Sequence, residues 1–168
     1  MLFKVAFEKA YDFVCWDYLD KAMGKMMFPN LWRKWIKKCI GTANASVLVN
    51  GSLTEEFPME RGLRQGDLLS PFLFLLVDEG FNVIMEALVA NNIFTSYKVG
   101  GVDGVSISHL QFVYDSILLG ENSWANVRGM RAALHIFATL SELKVNFHKV
   151  CWSGYMLVSR GFIKRLLF

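Results

Sequence analysis

The chain has 168 residues, enough for one domain, or part of a larger one, with a real core. Apolar residues make up 54% and aromatics 14%, which argues against a disordered chain. The net charge of +3 permits a nucleic-acid partner but lacks the strongly basic balance that would argue for one. Cys15, Cys39 and Cys151 are odd in number and show no CxxC spacing, which argues against a disulfide framework and a zinc site.

"LFKVAF" (Leu2 to Phe7) reads as a strand, and "WDYLDKAMGKMM" as a helix that stops at Phe28-Pro29. In "NLWRKWIKKCI" a helical repeat places Leu31, Trp32, Trp35, Ile36, Cys39 and Ile40 on one face. Arg33, Lys34, Lys37 and Lys38 take the other. "SVLVNGSLTEEF" alternates around Asn50-Gly51, a strong hairpin signal. Ser70-Pro71 offers an N-cap followed by proline at the first helical position, opening a buried helix to about Ala90. Its apolar run, "LLSPFLFLLV", ends at Asp78-Glu79 and is too short to span a bilayer. No charged-then-apolar leader opens the chain, so secretion is not expected. "YKVGGVDGVSI" predicts a second hairpin with Asp103-Gly104 near its turn, and "SHLQFVYDSILLGE" a third, with Asp115 at its tip. "WANVRGMRAALHIFATLSEL" predicts a helix with Val127, Met130, Ala133, Leu134 and Phe137 inward; "KVNFHKVCWSGYML" reads as a short turn and a strand. Antiparallel hairpins packed under helices make an α+β fold. By itself, Asp115 reads as a turn residue and Tyr11 as a core aromatic.

Three blocks change that reading. "FKVAFEKAYDFVCWDYL", "MERGLRQGDLLSPFLFLLVDEG" and "HLQFVYDSILLGE", followed by "LKVNFHK", closely resemble the reverse transcriptases of plant LINE-type (non-LTR) retrotransposons, from about Phe3 to Gly154. The "RGLRQGD…SPFLF" block is the most specific. The resemblance implies a palm domain, an antiparallel sheet with packed helices, spanning 1–168 as a partial domain without most of the fingers and the thumb. It also implies RNA template and DNA primer as partners and Mg²⁺ as cofactor. The family joins nucleotides with two Mg²⁺ ions about 3.5–4 Å apart, held by carboxylates because Mg²⁺ is a hard ion.

The family's carboxylates lie in K-x-D-F-x-K-A-Y-D and in aromatic-Ala-Asp-Asp, and this chain departs from both. Ala6 stands at the first aspartate, and Val113 and Tyr114 replace the alanine and the first aspartate of the pair. Asp115 remains as the only carboxylate of an incomplete metal site. A methyl group cannot ligate, and a neutral phenol is a poor Mg²⁺ ligand. Glu8, Asp12 and Asp17 are too displaced to replace the lost groups. The other implied contacts persist: Tyr11 as the gate under the incoming sugar, Gln65 and Gly66 lining the nucleotide pocket, and Phe112 beside the primer end. Arg61 and Arg64 would meet nucleic-acid backbone, and Lys149 would stand near the triphosphate. Smaller departures are Phe13 for arginine, Leu68 for proline and Glu142 for glycine. The expectation is a reverse transcriptase domain without catalysis. The alternatives are a non-catalytic RNA- or DNA-binding module and a polymerase with unconventional ligands.

Overall fold

The computed structural model describes residues 1–100, 104–112 and 115–146, and the backbone of 151–153. Strand β1 (Leu2–Ala6) buries Phe3 and Val5 on one face, the alternation expected of a half-covered strand. Helix α1 (Trp16–Lys25) buries Leu19 and Met23, one turn apart. Helix α2 (Asn30–Gly41) follows Pro29. Two short ladders come next: β2 (Asn44–Ala45) with β5 (Phe57–Pro58), and within it β3 (Leu48–Val49) with β4 (Ser52–Leu53). The turn between β3 and β4 falls at Asn50-Gly51, as the sequence predicts.

Helix α3 (Ser70–Ala90) crosses beneath the sheet and buries Leu73, Phe74, Val77, Phe81, Met85 and Leu88. Its start corrects one expectation. Ser70 lies inside the helix and is buried, and Asp67 Oδ1 accepts the Leu69 N–H at 2.9 Å instead. The aspartate, two residues further out, satisfies the free amide. Strands β6 (Tyr97–Val99) and β7 (Val105–Ile107) form the predicted second hairpin; residues 101–103 lie outside those described. Strands β8 (His109–Phe112) and β9 (Asp115–Leu119) form the third. Ser123 caps helix α4 (Trp124–Ser141), accepting the Asn126 N–H at 3.2 Å, and the five predicted inward residues are all buried. Strand β10 (Cys151–Ser153) completes the chain's described elements.

The main sheet has four strands in the order β10-β1-β9-β8, and every pairing is antiparallel. Helices α1, α3 and α4 pack together against its inner face, with Phe137 of α4 at the centre of an aromatic cluster. Phe81, Phe7 and Tyr18 lie 5.3, 5.4 and 6.3 Å from it, centroid to centroid. Five phenylalanines, Phe3, Phe74, Phe81, Phe94 and Phe137, are fully enclosed, each contributing roughly 1.5–3 kcal/mol. No helix of the described residues is long and apolar enough to cross a membrane.

Candidate active site

The outer face of the sheet carries the candidate site. In the β1–β9 register Ala6 stands directly opposite Asp115, and in the β8–β9 register Phe112 does. The position where the sequence pattern expects a first carboxylate is therefore the cross-strand neighbour of the surviving one. The Asp115 carboxylate, half-buried, accepts an ion pair from Lys4 Nζ at 2.7 Å. Lys4 lies two residues before Ala6, so strand alternation puts both on one face and brings the ammonium diagonally across to Asp115. The sequence reading missed Lys4; its i, i+2 spacing from Ala6 was the available signal. Phe112 is 80% exposed beside this pair. Tyr114 and Lys149 lie outside the described residues.

A second group forms where the segment before α3 docks onto the β1–α1 loop. Leu63 N–H donates to Tyr11 O at 2.7 Å, Gly62 N–H to Val14 O at 2.9 Å, and Trp16 Nε1 to Gly62 O at 2.8 Å. Only glycine fits at 62, since a Cβ there would sit 2.8 Å from the Asp12 carbonyl oxygen. Tyr11 is partly buried, its ring 5.2 Å from that of Phe74. Gln65 and Gly66 are exposed on the turn; Gly66 has φ +89 with open space around it, so backbone conformation rather than crowding requires glycine. Arg64 is exposed and lines a small cleft with Asp67, Ser70 and Leu73. Arg61 approaches Glu142 at 3.6 Å, both exposed.

Glu8, the nearest alternative ligand by sequence, lies beyond the end of β1. It lines a separate open cleft with Phe13, Arg61, Thr139, Glu142 and Lys144. Among the described residues no three His, Cys, Asp or Glu side chains gather closely enough to hold a metal ion. Asp115 faces a methyl group and an ammonium ion. One carboxylate already paired to a cation does not fit the donor set that a pair of Mg²⁺ ions needs.

Residues 1–155 match the family model for reverse transcriptase (RNA-dependent DNA polymerase). The chain belongs to the reverse transcriptase family. It is 28% identical over 115 residues to the retrovirus-related Pol polyprotein from type-1 retrotransposable element R2 of Popillia japonica. That match covers 68% of this chain and 15% of the polyprotein. Among solved structures, telomerase from Candida albicans in complex with a fragment of telomeric RNA aligns with a TM-score of 0.69 at 13% identity. The alignment covers 94% of this chain and 28% of that one. Apo telomerase from Candida tropicalis gives 0.68 at 14% identity, covering 94% and 31%. This reverse transcriptase domain thus spans under a third of each of these relatives. At these identities the telomerase likeness shows an α+β fold of the reverse transcriptase and telomerase type.

Behind the sheet lies a polar group that the sequence reading did not find. Asp78 was read as the end of an apolar run, yet helical spacing from Phe74 and to Phe81 carries it into the core, where it is 2% exposed. Neither carboxylate oxygen accepts a hydrogen bond, and the nearby Ser116 hydroxyl, on the inner face of β9, is likewise unpartnered. Gln111 Nε2 donates to the Asp78 main-chain carbonyl at 3.1 Å rather than to the carboxylate. Burial pushes the Asp78 carboxyl from the ordinary 3.8 up to about 7; the Gln111 amide opposes this and Glu79 adds to it. Burial and the proximity of Asp78 push Tyr18 up to about 12.

Proposed function

We propose that this chain is the palm portion of a reverse transcriptase of the plant LINE-type, non-LTR group, and that it has lost nucleotidyl transfer. "RGLRQGD" leading into "SPFLF" supports the subgroup, and the antiparallel sheet backed by three helices supports the palm. One observation carries the loss of catalysis: Ala6 stands opposite Asp115, and the Lys4 ammonium already occupies the remaining carboxylate. Two Mg²⁺ ions bring four positive charges, of which a single carboxylate offsets a quarter. The triphosphate brings its own oxygens but cannot preorganise the protein's side of the site.

Primer extension on an RNA template, with Mg²⁺ and separately with Mn²⁺, tests this reading. The expected result is no incorporation above a no-template background. Template-dependent extension would overturn it and favour unconventional ligands.

A second reading, retained binding of a template–primer duplex without chemistry, is favoured by the exposed Arg64 on the docked segment beside Tyr11. Arg61 contributes less, because Glu142 stands 3.6 Å from its guanidinium. Binding of a labelled RNA–DNA hybrid should weaken with salt and weaken further on Arg64→Gln. A flat salt response excludes this second reading.

A further inference from the structure

Helix α2 carries Arg33, Lys34, Lys37 and Lys38 and no acidic residue. Arg33 is held by Asp20 through two bonds, at 2.9 and 2.5 Å. Lys34, Lys37 and Lys38 form no ion pair among the described residues. The apolar side of the helix is mostly uncovered: Ile36 is buried, while Leu31 and Trp35 are 59% and 56% exposed. At 3.6 residues per turn, Lys34, Lys38, Leu31 and Trp35 fall in that order within an arc of roughly 100°. An exposed indole and an exposed leucine thus stand beside two unpaired ammonium groups one turn apart.

We propose that this face of α2 binds single-stranded nucleic acid, with Lys34 and Lys38 against the phosphates and a base stacked on Trp35. The surface lies on a different element from Asp115 and does not depend on the reading of that site. Charge complementarity calls for a polyanion. The flat indole selects one with unstacked rings: an acidic peptide offers none, and a duplex keeps its bases stacked and paired. A membrane surface fits less well, because an interfacial helix needs a broad apolar face free, and here Ile36 is committed to the core.

The test is fluorescence anisotropy of a labelled 15-nucleotide oligo-U with the full chain, across a salt series. Lys34→Gln with Lys38→Gln should flatten the log–log salt slope by about 1.4 and weaken binding about 25-fold at 0.1 M salt. Trp35→Ala should weaken binding by roughly 5- to 150-fold with the slope unchanged. Lys98→Gln, an exposed charge on β6, should change neither quantity. The proposal is overturned by absence of binding at low salt, or by equal effects of the α2 and Lys98 variants. It is also overturned if poly-glutamate or anionic phosphatidylserine vesicles bind as tightly as oligo-U. Loss of binding on Arg64→Gln with the α2 variants intact would assign the strand to the docked segment instead, and would leave the reading of the Asp115 site untouched.

Discussion

Raising the pH from 4 to 8 should destabilise this protein, and Asp78→Asn should abolish most of that dependence. In the folded chain the Asp78 carboxyl keeps its proton up to about pH 7; unfolded, it ionises near 3.8. Between those values the folded state binds more protons than the unfolded state, so stability falls as pH rises and levels off above about 7. The interval of about three pK units, at about 1.4 kcal/mol each, corresponds to a loss of about 4 kcal/mol. No large discount for solvent applies, since Asp78 is buried and both its oxygens lack partners. His109 works in the opposite direction, because burial holds its imidazole below the usual 6.5 and stability then rises with pH just below that value. His109 is present in both proteins, so the difference between wild-type and Asp78→Asn profiles isolates the carboxylate. The variant still buries an amide, which costs about 1–3 kcal/mol, so the net gain at pH 8 should be about 1–3 kcal/mol. For a chain of this length that is a rise in Tm of about 2–12 °C. Chemical denaturation followed by circular dichroism at half-unit pH steps gives both profiles. Equal slopes for the two proteins between pH 4 and 7 would refute the reasoning.

Glu142 closes α4 in the left-handed region with φ 62, where helices usually place glycine. Glu142→Gly should therefore raise stability by about 1 kcal/mol, measured by thermal melting, since its exposed pairing with Arg61 contributes little. Gly80→Ala should destabilise by about 1–3 kcal/mol, because the new Cβ would stand within bonding range of the Tyr18 hydroxyl where α3 meets α1. In a Tyr18→Phe background the same change should cost distinctly less, and an equal cost in both backgrounds would place the strain elsewhere. Ala6→Asp combined with Tyr114→Asp should lower stability in EDTA and recover it with Mg²⁺ or Mn²⁺, seen as a metal-dependent rise in Tm. Metal-independent melting of that double variant would show that positions 6, 114 and 115 do not form a carboxylate site.

Much of the fold was legible because it rests on local signals. Period-two alternation marked β1 and β9, Asn50-Gly51 marked the β3–β4 turn, and the inward residues of α4 followed helical spacing. What escaped depended on tertiary placement. The apolar face of α2 was visible as a pattern, but a pattern does not say whether anything packs on it, and only Ile36 is buried. Asp78 looked like the polar end of an apolar run, but within the helix predicted to about Ala90 its phase turns it inward. Glu8 was expected to be too displaced to replace a lost carboxylate, but not where it goes: β1 ends at Ala6, and the chain then runs beside Lys144. The Lys4–Asp115 pair required the cross-strand register, which no single segment contains.

That register also explains how the family's fold can persist where its site has changed. Phe3 and Val5 point inward from β1, and their partners Leu118 and Ser116 point inward from β9. Lys4, Ala6 and Asp115 belong to the opposite face of the same strands by simple alternation. Ala6 is only 1% exposed, so its neighbours enclose position 6 even on the outer face, and a small side chain fits there. A carboxylate there would stand directly across from Asp115, and like charges in opposed cross-strand positions repel unless a cation lies between them. Alanine removes that repulsion, and Lys4 satisfies the one charge that is left. The Lys4–Asp115 pair leaves the outer face electrostatically satisfied without a bridging cation, while Phe3, Val5 and Leu118 keep the inner face packed against the helices.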